Sequence, residues 1–147
     1  MTGKELWNLF IRDKNLPEIT SDYDAWSFGS SADELAQLVV NGIKTATSSA
    51  YPLYGLKNEP LPVADVYSII LDSKGNAVCV IKTTKVEIVP FEEVTAEHAY
   101  KEGEGNRSLD DWKEVHEKFF TKALNKVGLH FTHDMKVVCE EFSVVYK

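Results

Sequence analysis

The sequence predicts a single domain of the α+β class. Its 147 residues fit one domain, because most domains contain roughly 100–200 residues. Apolar residues make up 44% of the chain and charged residues 27%, which are ordinary values for a globular protein. Segments with helical and with strand patterns follow one another without regular alternation, which favours an α+β fold over a doubly wound sheet.

The first two helices are predicted from apolar spacing and from their ends. Residues 4–12 carry apolar side chains at helical spacing, and Pro17 lies beyond the point where this helix must stop. A second helix is expected to begin at Ser31, with Glu34 reaching back to the capping residue in a capping box. Gly42 ends this helix, because glycine adopts the left-handed conformation at little cost.

Ser108 is expected to cap a third long helix, which ends at Gly128, and Thr95 to cap a short helix before it. The apolar positions of the long helix repeat every three or four residues: Leu109, Trp112, His116, Phe119, Ala123 and Val127. The aromatic residues expected in the core are Trp7, Trp112, Phe119 and Phe120.

Segments rich in β-branched residues predict strands at residues 66–71 and 136–146, and one long strand or two at residues 77–89. Residues 72–76 have the composition of a hairpin turn. Two further segments, residues 20–30 and 51–62, are interpreted as a connection and as a long surface loop. The two cysteines, Cys79 and Cys139, lie within apolar runs, so we expect buried free thiols in a reducing compartment.

The net charge and the lack of targeting segments limit the classes of partner that the protein can have. The net charge of −7 argues against tight binding along a phosphate backbone, so a nucleic-acid partner must be small or held in a local pocket. No apolar run approaches the roughly 20 residues that cross a bilayer. The first residues lack the apolar region of a signal peptide. We therefore expect a cytoplasmic protein without a membrane partner.

Residues 42–49 form the densest cluster of reactive side chains, with one amine and four hydroxyls after a helix stop. Lys44 can hold an anion or a carbonyl as a fixed charge, or it can lose its proton and activate a hydroxyl. On a strand, Thr45 and Thr47 share one face, whereas on a helical turn Lys44 and Thr47 share a face. The alternative interpretation is a purely structural edge strand.

A second polar cluster covers residues 98–105. The spacing of His98 and Glu102 places both on one face of a helix. Glycines on both sides of Glu104 indicate close approach of the backbone to another group. The alternative is a frayed helix end with solvated carboxylates.

Aromatic residues flank the lysine segment. Trp26, Phe28 and either Tyr51 or Tyr54 could stack on a nucleobase, or they could close the edge of a core. Arg107 follows the glycine-flanked glutamate and could clamp a phosphate or a carboxylate, or it could be a solvated loop residue.

No metal ion or cofactor is expected. The chain lacks closely spaced cysteines and the His-Glu-x-x-His pattern of zinc enzymes. Its glycines match neither dinucleotide-binding nor P-loop spacing.

Several motifs together resemble the ASCH domain family, in its bacterial branch formerly classed as a domain of unknown function. They are Trp26-Ser27-Phe28-Gly29, residues 35–39, Gly42-Ile43-Lys44-Thr45-Ala46-Thr47, residues 90–95, His98-Ala99, Glu102-Gly103-Glu104-Gly105 and residues 112–116. The resemblance covers about residues 25–146. Residues 1–24 are then an N-terminal helical extension of a single ASCH domain.

The resemblance implies a PUA-like mixed β-barrel with flanking α-helices, and RNA binding in a cleft beside Lys44. One bacterial ASCH enzyme type hydrolyses the amide of N4-acetylcytidine. Its lysine, its threonine three positions later and its glutamate at the end of a His-Ala-x-x-Glu segment are matched by Lys44, Thr47 and Glu102. Another ASCH type is a ribonuclease.

The expected function is thus binding of a modified nucleoside or short RNA beside Lys44, with hydrolysis of a non-peptide C–N bond, the amide of an acylated pyrimidine nucleoside such as N4-acetylcytidine. Thr47 attacks the acyl carbonyl, Lys44 takes its proton or stabilises the oxyanion, and Glu102 holds the lysine amine or handles the leaving-group proton. The expected substrate-binding residues are Trp26, Phe28, Thr45, Ser48, Tyr54, Glu104 and Arg107. A non-catalytic RNA-binding module and a metal-independent ribonuclease are the alternatives. The apolar residues within 4–11 could support a homodimer.

Overall fold

A computed structural model describes residues 1–17 and 22–147. Residues 18–21, which belong to the predicted N-terminal extension and to the predicted 20–30 connection, lie outside the described part. The elements in chain order are α1 (Gly3–Asp13), β1 (Tyr23–Trp26), α2 (Ala32–Val40), β2 (Ala46–Ala50), α3 (Tyr51–Leu56), β3 (Tyr67–Leu71), β4 (Ala77–Pro90), a 3₁₀ turn (Phe91–Glu93), α4 (Ala96–Glu102), α5 (Leu109–Asn125) and β5 (Lys136–Tyr146).

The strands form one five-stranded sheet in the order β1-β3-β4-β5-β2. β1 runs parallel to β3, whereas β3 with β4 and β2 with β5 are antiparallel pairs. In the described strands the pairing does not return from β2 to β1, so the sheet is open and both are edge strands. The predicted α+β class is confirmed, but the described pairings do not close the sheet into a barrel.

The chain divides into two compact units. The first unit comprises Met1–Lys44, Val63–Lys85 and Phe142–Lys147, and the second comprises Thr45–Pro62 and Val86–Glu141. None of the helices in the described ranges combines the length and the apolar character that a bilayer span requires.

The core of the first unit has two parts. Trp7 and Phe10 of α1 pack with Ile69 of β3, and Thr2 caps this helix in a capping box with Glu5. The second part joins α2 to β3 and β4 and contains Phe28, Ala36, Val39, Ile70, Cys79, Ile81 and Phe142.

The core of the second unit is built around α5. The buried side chains of this helix, Trp112, Phe120 and Leu124, pack with Phe91 and with Cys139 of β5. The predicted caps of α4 and α5 are confirmed, because Thr95 accepts from the amide of His98 and Ser108 from that of Asp111.

Several predictions about local structure are wrong. Ser31 makes no side-chain cap and has a left-handed backbone, with φ of 53°, so the predicted capping box is absent. Asp33, in the first turn of α2, accepts hydrogen bonds from the amide and the hydroxyl of Ser73. The predicted 51–62 loop begins with helix α3, which has proline in its first turn, where no intrahelical N–H partner is needed. The predicted connection at 20–30 contains strand β1.

The apolar stripe of α5 also differs from the prediction. Phe119 was expected in the core, yet 50% of it is exposed. The buried row follows positions 112, 120 and 124, which lie multiples of four residues apart along one face. Both cysteines are buried free thiols, as predicted.

Candidate functional site

Strand β2 presents its hydroxyl groups on two opposite faces. It pairs with β5 without a register shift, so Ser48 lies opposite Cys139 and Thr47 opposite Glu140. Successive side chains on a strand point to opposite faces, and directly paired residues share a face. Ser48 and Cys139 therefore lie on one side of the ladder, which we call the α4 face, and Thr47 and Glu140 on the other, which we call the Thr47 face.

The α4 face carries a hydrogen-bonded network centred on the carboxylate of Glu102, of which only 1% is exposed. Ser48 Oγ and Trp112 Nε1 each donate to Glu102 Oε2 at 2.5 Å, and His98 Nε2 lies 3.0 Å from the same oxygen. The other carboxylate oxygen, Oε1, lies 3.4 Å from His116 Nε2. A carboxylate this deeply buried needs such donors, because removing a charge from water is costly. The solvated-carboxylate alternative is therefore wrong for Glu102.

His116 reaches the same carboxylate from α5. Its Nδ1 lies 2.9 Å from the carbonyl oxygen of Trp112. Its Nε2 faces Glu102 Oε1. The ring also stacks on Trp112 with centroids 4.2 Å apart. Within the described ranges no group of His, Cys, Asp and Glu is arranged to hold a metal ion.

Ser48, His98 and Glu102 do not form a nucleophile–base–acid relay. In such a relay the carboxylate contacts the imidazole nitrogen remote from the hydroxyl. Here Ser48 Oγ lies 2.8 Å from His98 Nε2, and Glu102 contacts that same nitrogen. The hydroxyl also donates directly to the carboxylate. The network therefore holds Ser48 in place without the geometry of that relay.

Local sequence explains how α4 supplies this network. His98 and Glu102 are four residues apart and meet on one face of the helix, as predicted. The carbonyl of Lys101 accepts from the amide of Thr45 at 2.7 Å and from its hydroxyl at 3.3 Å, which ties the start of β2 to α4. Beyond the helix, a Cβ at Gly105 would lie 2.1 Å from Asp111 Oδ2, which confirms the predicted close approach.

The Thr47 face carries a second polar group. Ser49 Oγ lies 2.6 Å from the hydroxyl of Tyr54, which comes from α3. Burial raises the pKa of Glu140 from 4.5 to about 7. Burial also raises the pKa of Tyr54, and the charges of Glu140 and Glu59 raise it further. The hydrogen bond with Ser49 lowers this pKa but does not cancel the rise. This face thus combines hydroxyls with a carboxyl that titrates near neutrality.

Lys44 belongs to the first unit, and only 1% of it is exposed. Its amide donates to the carbonyl of Leu38 at 3.0 Å, and its Nζ lies 5.4 Å from the ring centroid of Phe28. Gly42, with φ of 75°, makes the turn that leads into this position. Phe28 is buried and packs edge-on against Trp26, so these two predicted stacking residues contact each other.

The predicted ligand residues after α4 contact their own segment. The guanidinium of Arg107 lies 3.6 Å from the ring centroid of Tyr100, and its Nε donates to the Tyr100 carbonyl at 3.0 Å. The backbone carbonyl of Glu104 accepts from the Arg107 amide at 3.1 Å. Their predicted roles in substrate binding stay predictions.

No sequence motif assigns Trp112, His116 or Glu140 to a site. Trp112 and His116 lie on the predicted apolar stripe of a long helix. The one sign of a polar partner there is that an indole or imidazole N–H in a buried stripe needs an acceptor. Glu140 interrupts the apolar start of the last strand, which is a detectable signal. Its partner Thr47 is visible only from the strand register.

Comparison with known proteins identifies relatives. The family model described as "ASCH domain" matches residues 24–146. Among solved structures, the ASCH domain from Lactobacillus crispatus JV V101 is 29% identical with a TM-score of 0.87, covering 97% of this chain and 96% of that one. A protein from Enterococcus faecalis V583, described with the family model DUF984, is 39% identical with a TM-score of 0.85, covering 97% and 87%.

A third solved structure, the hypothetical protein PH0355, is 16% identical with a TM-score of 0.56, covering 84% of this chain and 100% of that one, and it bears on the fold alone. No curated protein matches the chain. The likeness to a solved ASCH domain confirms the predicted PUA-like α+β class.

Proposed function

Because the chain belongs to the ASCH domain family, whose PUA-like fold is often linked to RNA binding, we propose that it binds a modified nucleoside or short RNA. We propose further that it hydrolyses the amide of an acylated pyrimidine nucleoside such as N4-acetylcytidine. The observation that supports this proposal is the row of hydroxyls on β2, at Thr47, Ser48 and Ser49, in which Ser48 donates to the buried carboxylate of Glu102. Buried ionisable groups beside hydroxyls are typical of functional sites.

The proposed chemistry divides one amide cleavage into two steps. Thr47 Oγ1 attacks the acyl carbon and loses its proton, the C–N bond breaks, and the leaving nitrogen takes up a proton. Water then hydrolyses the acyl-threonine and releases acetate. Lys44 either accepts the threonine proton or remains charged and stabilises the oxyanion.

Glu102 has a positioning role in this proposal. Its Oε2 accepts from Ser48, so it contacts the residue next to Thr47 in the chain. Fixing Ser48 fixes the backbone of β2 and therefore the direction in which the Thr47 side chain points. This role replaces direct handling of the leaving-group proton.

The charge of the protein favours a small substrate. A net charge of −7 repels a long phosphate backbone, whereas a nucleoside carries no phosphate and is not repelled. Acylated nucleosides therefore come first among the substrates to test.

The test is incubation with N4-acetylcytidine followed by chromatography for cytidine. We expect cytidine from wild type, and a loss of turnover in Lys44→Ala and Thr47→Val. Lys57→Ala is the matched control for Lys44, because Lys57 is an exposed lysine at the end of α3 and should leave turnover unchanged. Absence of cytidine from folded wild type, as judged by circular dichroism, would remove this substrate.

A non-catalytic RNA-binding module is the second candidate, and a row of lysines on α5 favours it. Lys118, Lys122 and Lys126 are spaced four residues apart, so they follow one face of the helix. They line an open groove of about 740 Å³ together with Glu117, Thr121, Asn125 and Phe131. Cations along a groove with an aromatic side chain are typical of surfaces that bind single strands.

The RNA-binding candidate is tested by titrating a labelled single-stranded RNA at several salt concentrations. Joint replacement of Lys122 and Lys126 by glutamine should weaken binding and lower the salt slope by about 1.4, because each phosphate contact on a single strand contributes about 0.7. Lys74→Gln, at an exposed hairpin turn, is the control. RNA recovered intact indicates a binding module, whereas fragments that form in EDTA indicate the ribonuclease alternative.

A further inference from the structure

We propose that Glu140 is the group that accepts the proton of Thr47, so that the two residues form the nucleophile–base pair of the reaction. This inference rests on the proposed hydrolase function and deepens it. It moves the base from Lys44 to a carboxyl on the neighbouring strand.

The strand register places the two residues together. Thr47 is the direct antiparallel partner of Glu140, in a ladder without a bulge. The Cβ atoms of such partners lie roughly 4.5–5.5 Å apart, and both side chains point to the same side. A glutamate carboxyl spans that separation easily. By the same alternation Glu102, which contacts Ser48, belongs to the opposite side.

The environment of Glu140 suits proton transfer at neutral pH. Burial raises its pKa to about 7, and a general base works best when its pKa is near the operating pH. The other titratable groups that interact with Glu140 in the described ranges are Tyr54, on α3, and Cys139, beside it on β5. Burial raises the pKa of the Cys139 thiol to about 12, so this thiol stays neutral over the working range.

Ser49 and Tyr54 complete a polar surface on the same face. Ser49 is two residues from Thr47 on β2, and its hydroxyl lies 2.6 Å from that of Tyr54. One of the two hydroxyl protons occupies this hydrogen bond, and the other can be donated to an acceptor such as a carbonyl or ribose oxygen. The face therefore offers a nucleophile, a base and a hydrogen-bond donor side by side.

The proposed step balances without any further reagent. The Glu140 carboxylate takes the proton from Thr47 Oγ1 as this oxygen bonds to the acyl carbon. The C–N bond then breaks, and the proton passes from Glu140 to the leaving nitrogen. In the second step Glu140 takes a proton from water, the hydroxide displaces Thr47 Oγ1 from the acyl carbon, and the proton returns to Oγ1.

The first test compares Glu140→Gln with Glu141→Gln, its neighbour in sequence. Glu141 pairs with Lys101 on the other side of the strand and is not part of the proposed pair. We expect Glu140→Gln to lower kcat for N4-acetylcytidine by about 10²–10⁴-fold with KM retained. The wild-type rise of kcat/KM with pH, near pH 7, should vanish in this variant and persist in Glu141→Gln. Full activity of Glu140→Gln would overturn the inference and leave the hydrolase function standing.

A second readout does not depend on the natural substrate. Wild type is treated with p-nitrophenyl acetate, and the acetylated residue is located by mass spectrometry. We expect acetylation at Thr47 in wild type and Glu141→Gln, and its strong reduction in Glu140→Gln. Acetylation of Thr47 without turnover of N4-acetylcytidine would keep the Thr47–Glu140 pair and reject the proposed substrate. Equal acetylation in Glu140→Gln, or none at Thr47 in wild type, would overturn the pair.

Discussion

The two faces of the β2–β5 ladder handle a carboxyl group in opposite ways. On the α4 face, the carboxylate of Glu102 is almost fully buried and receives hydrogen bonds from Ser48 and Trp112. On the Thr47 face, burial is the cause that shifts Glu140, and its pKa rises to about 7. Glu102 accepts from Ser48, and Glu140 lies opposite Thr47, the neighbouring residue of the same five-residue strand.

The difference shows what donors do for a buried charge. Hydrogen bonds that favour the charged form compensate for desolvation, so a carboxylate surrounded by donors becomes part of the architecture. A carboxyl that is buried without that compensation holds its proton until near neutrality and is suited to move it. The first face stabilises the strand, and we propose that the second carries out the chemistry.

The largest expected effect is the removal of the carboxylate on the α4 face. Glu102→Ala leaves the donors of Trp112 and Ser48 buried without their acceptor, so the free energy of unfolding should fall by about 3–5 kcal/mol. Urea denaturation followed by circular dichroism measures it. Glu97→Ala is the control on the same helix, because Glu97 forms an exposed ion pair with Lys101 and should cost less than about 1 kcal/mol. Equal losses in the two variants would contradict the structural role of Glu102.

The next effect is a pH dependence of stability that comes from Glu140. Its pKa is 4.5 in the unfolded reference and about 7 in the folded protein, so the folded state binds more protons between these values. The free energy of unfolding should therefore fall by about 2–3 kcal/mol as pH rises from 4.5 to 7. Thermal or urea unfolding across this range measures the slope. Glu140→Gln should flatten it, and an unchanged slope in that variant would reject the assignment.

The two adjacent hydroxyls of β2 should differ in their importance for folding. Ser48→Ala removes a hydrogen bond to a buried carboxylate and should lower the free energy of unfolding by about 2 kcal/mol. Thr47→Ala lies on the other face and should cost about 0.5 kcal/mol while abolishing Thr47 acetylation. Chemical denaturation of both variants tests this contrast. If Thr47→Ala were the more destabilising variant, the assignment of the faces would be wrong.

The smallest expected effect concerns the hydroxyl pair on the Thr47 face. A double-mutant cycle of Ser49→Ala and Tyr54→Phe should give a coupling energy of about 0.5–1 kcal/mol, as is usual for a neutral hydrogen bond. Urea denaturation of the four proteins measures it. A coupling energy as large as the effect of Ser48→Ala would show that the Ser49–Tyr54 hydrogen bond is as stabilising as the Ser48–Glu102 hydrogen bond, and would contradict the contrast between the two faces.

Local patterns predicted much of the fold. Thr95 and Ser108 predict where α4 and α5 begin, and their hydroxyls cap the first turns of these helices as expected. The meeting of His98 and Glu102 follows from their spacing of four. Ser31 makes no cap hydrogen bond, because its backbone is left-handed whereas a capping residue normally has an extended backbone. The prolines of residues 51–62 favour a loop, but one of them, Pro52, lies in the first turn of α3, where proline is well tolerated.

Local sequence is enough to predict the α+β class, the α4 and α5 caps, the hydroxyl row after Lys44 and the pairing of His98 with Glu102. Each of these depends on residues within a few positions of one another, where propensity and spacing act directly. Tertiary structure alone decided that Trp112 donates to Glu102 and that Thr47 lies opposite Glu140. Strand register and helix packing depend on how apolar surface is buried over the whole chain. The spacing of residues within one segment therefore cannot predict them.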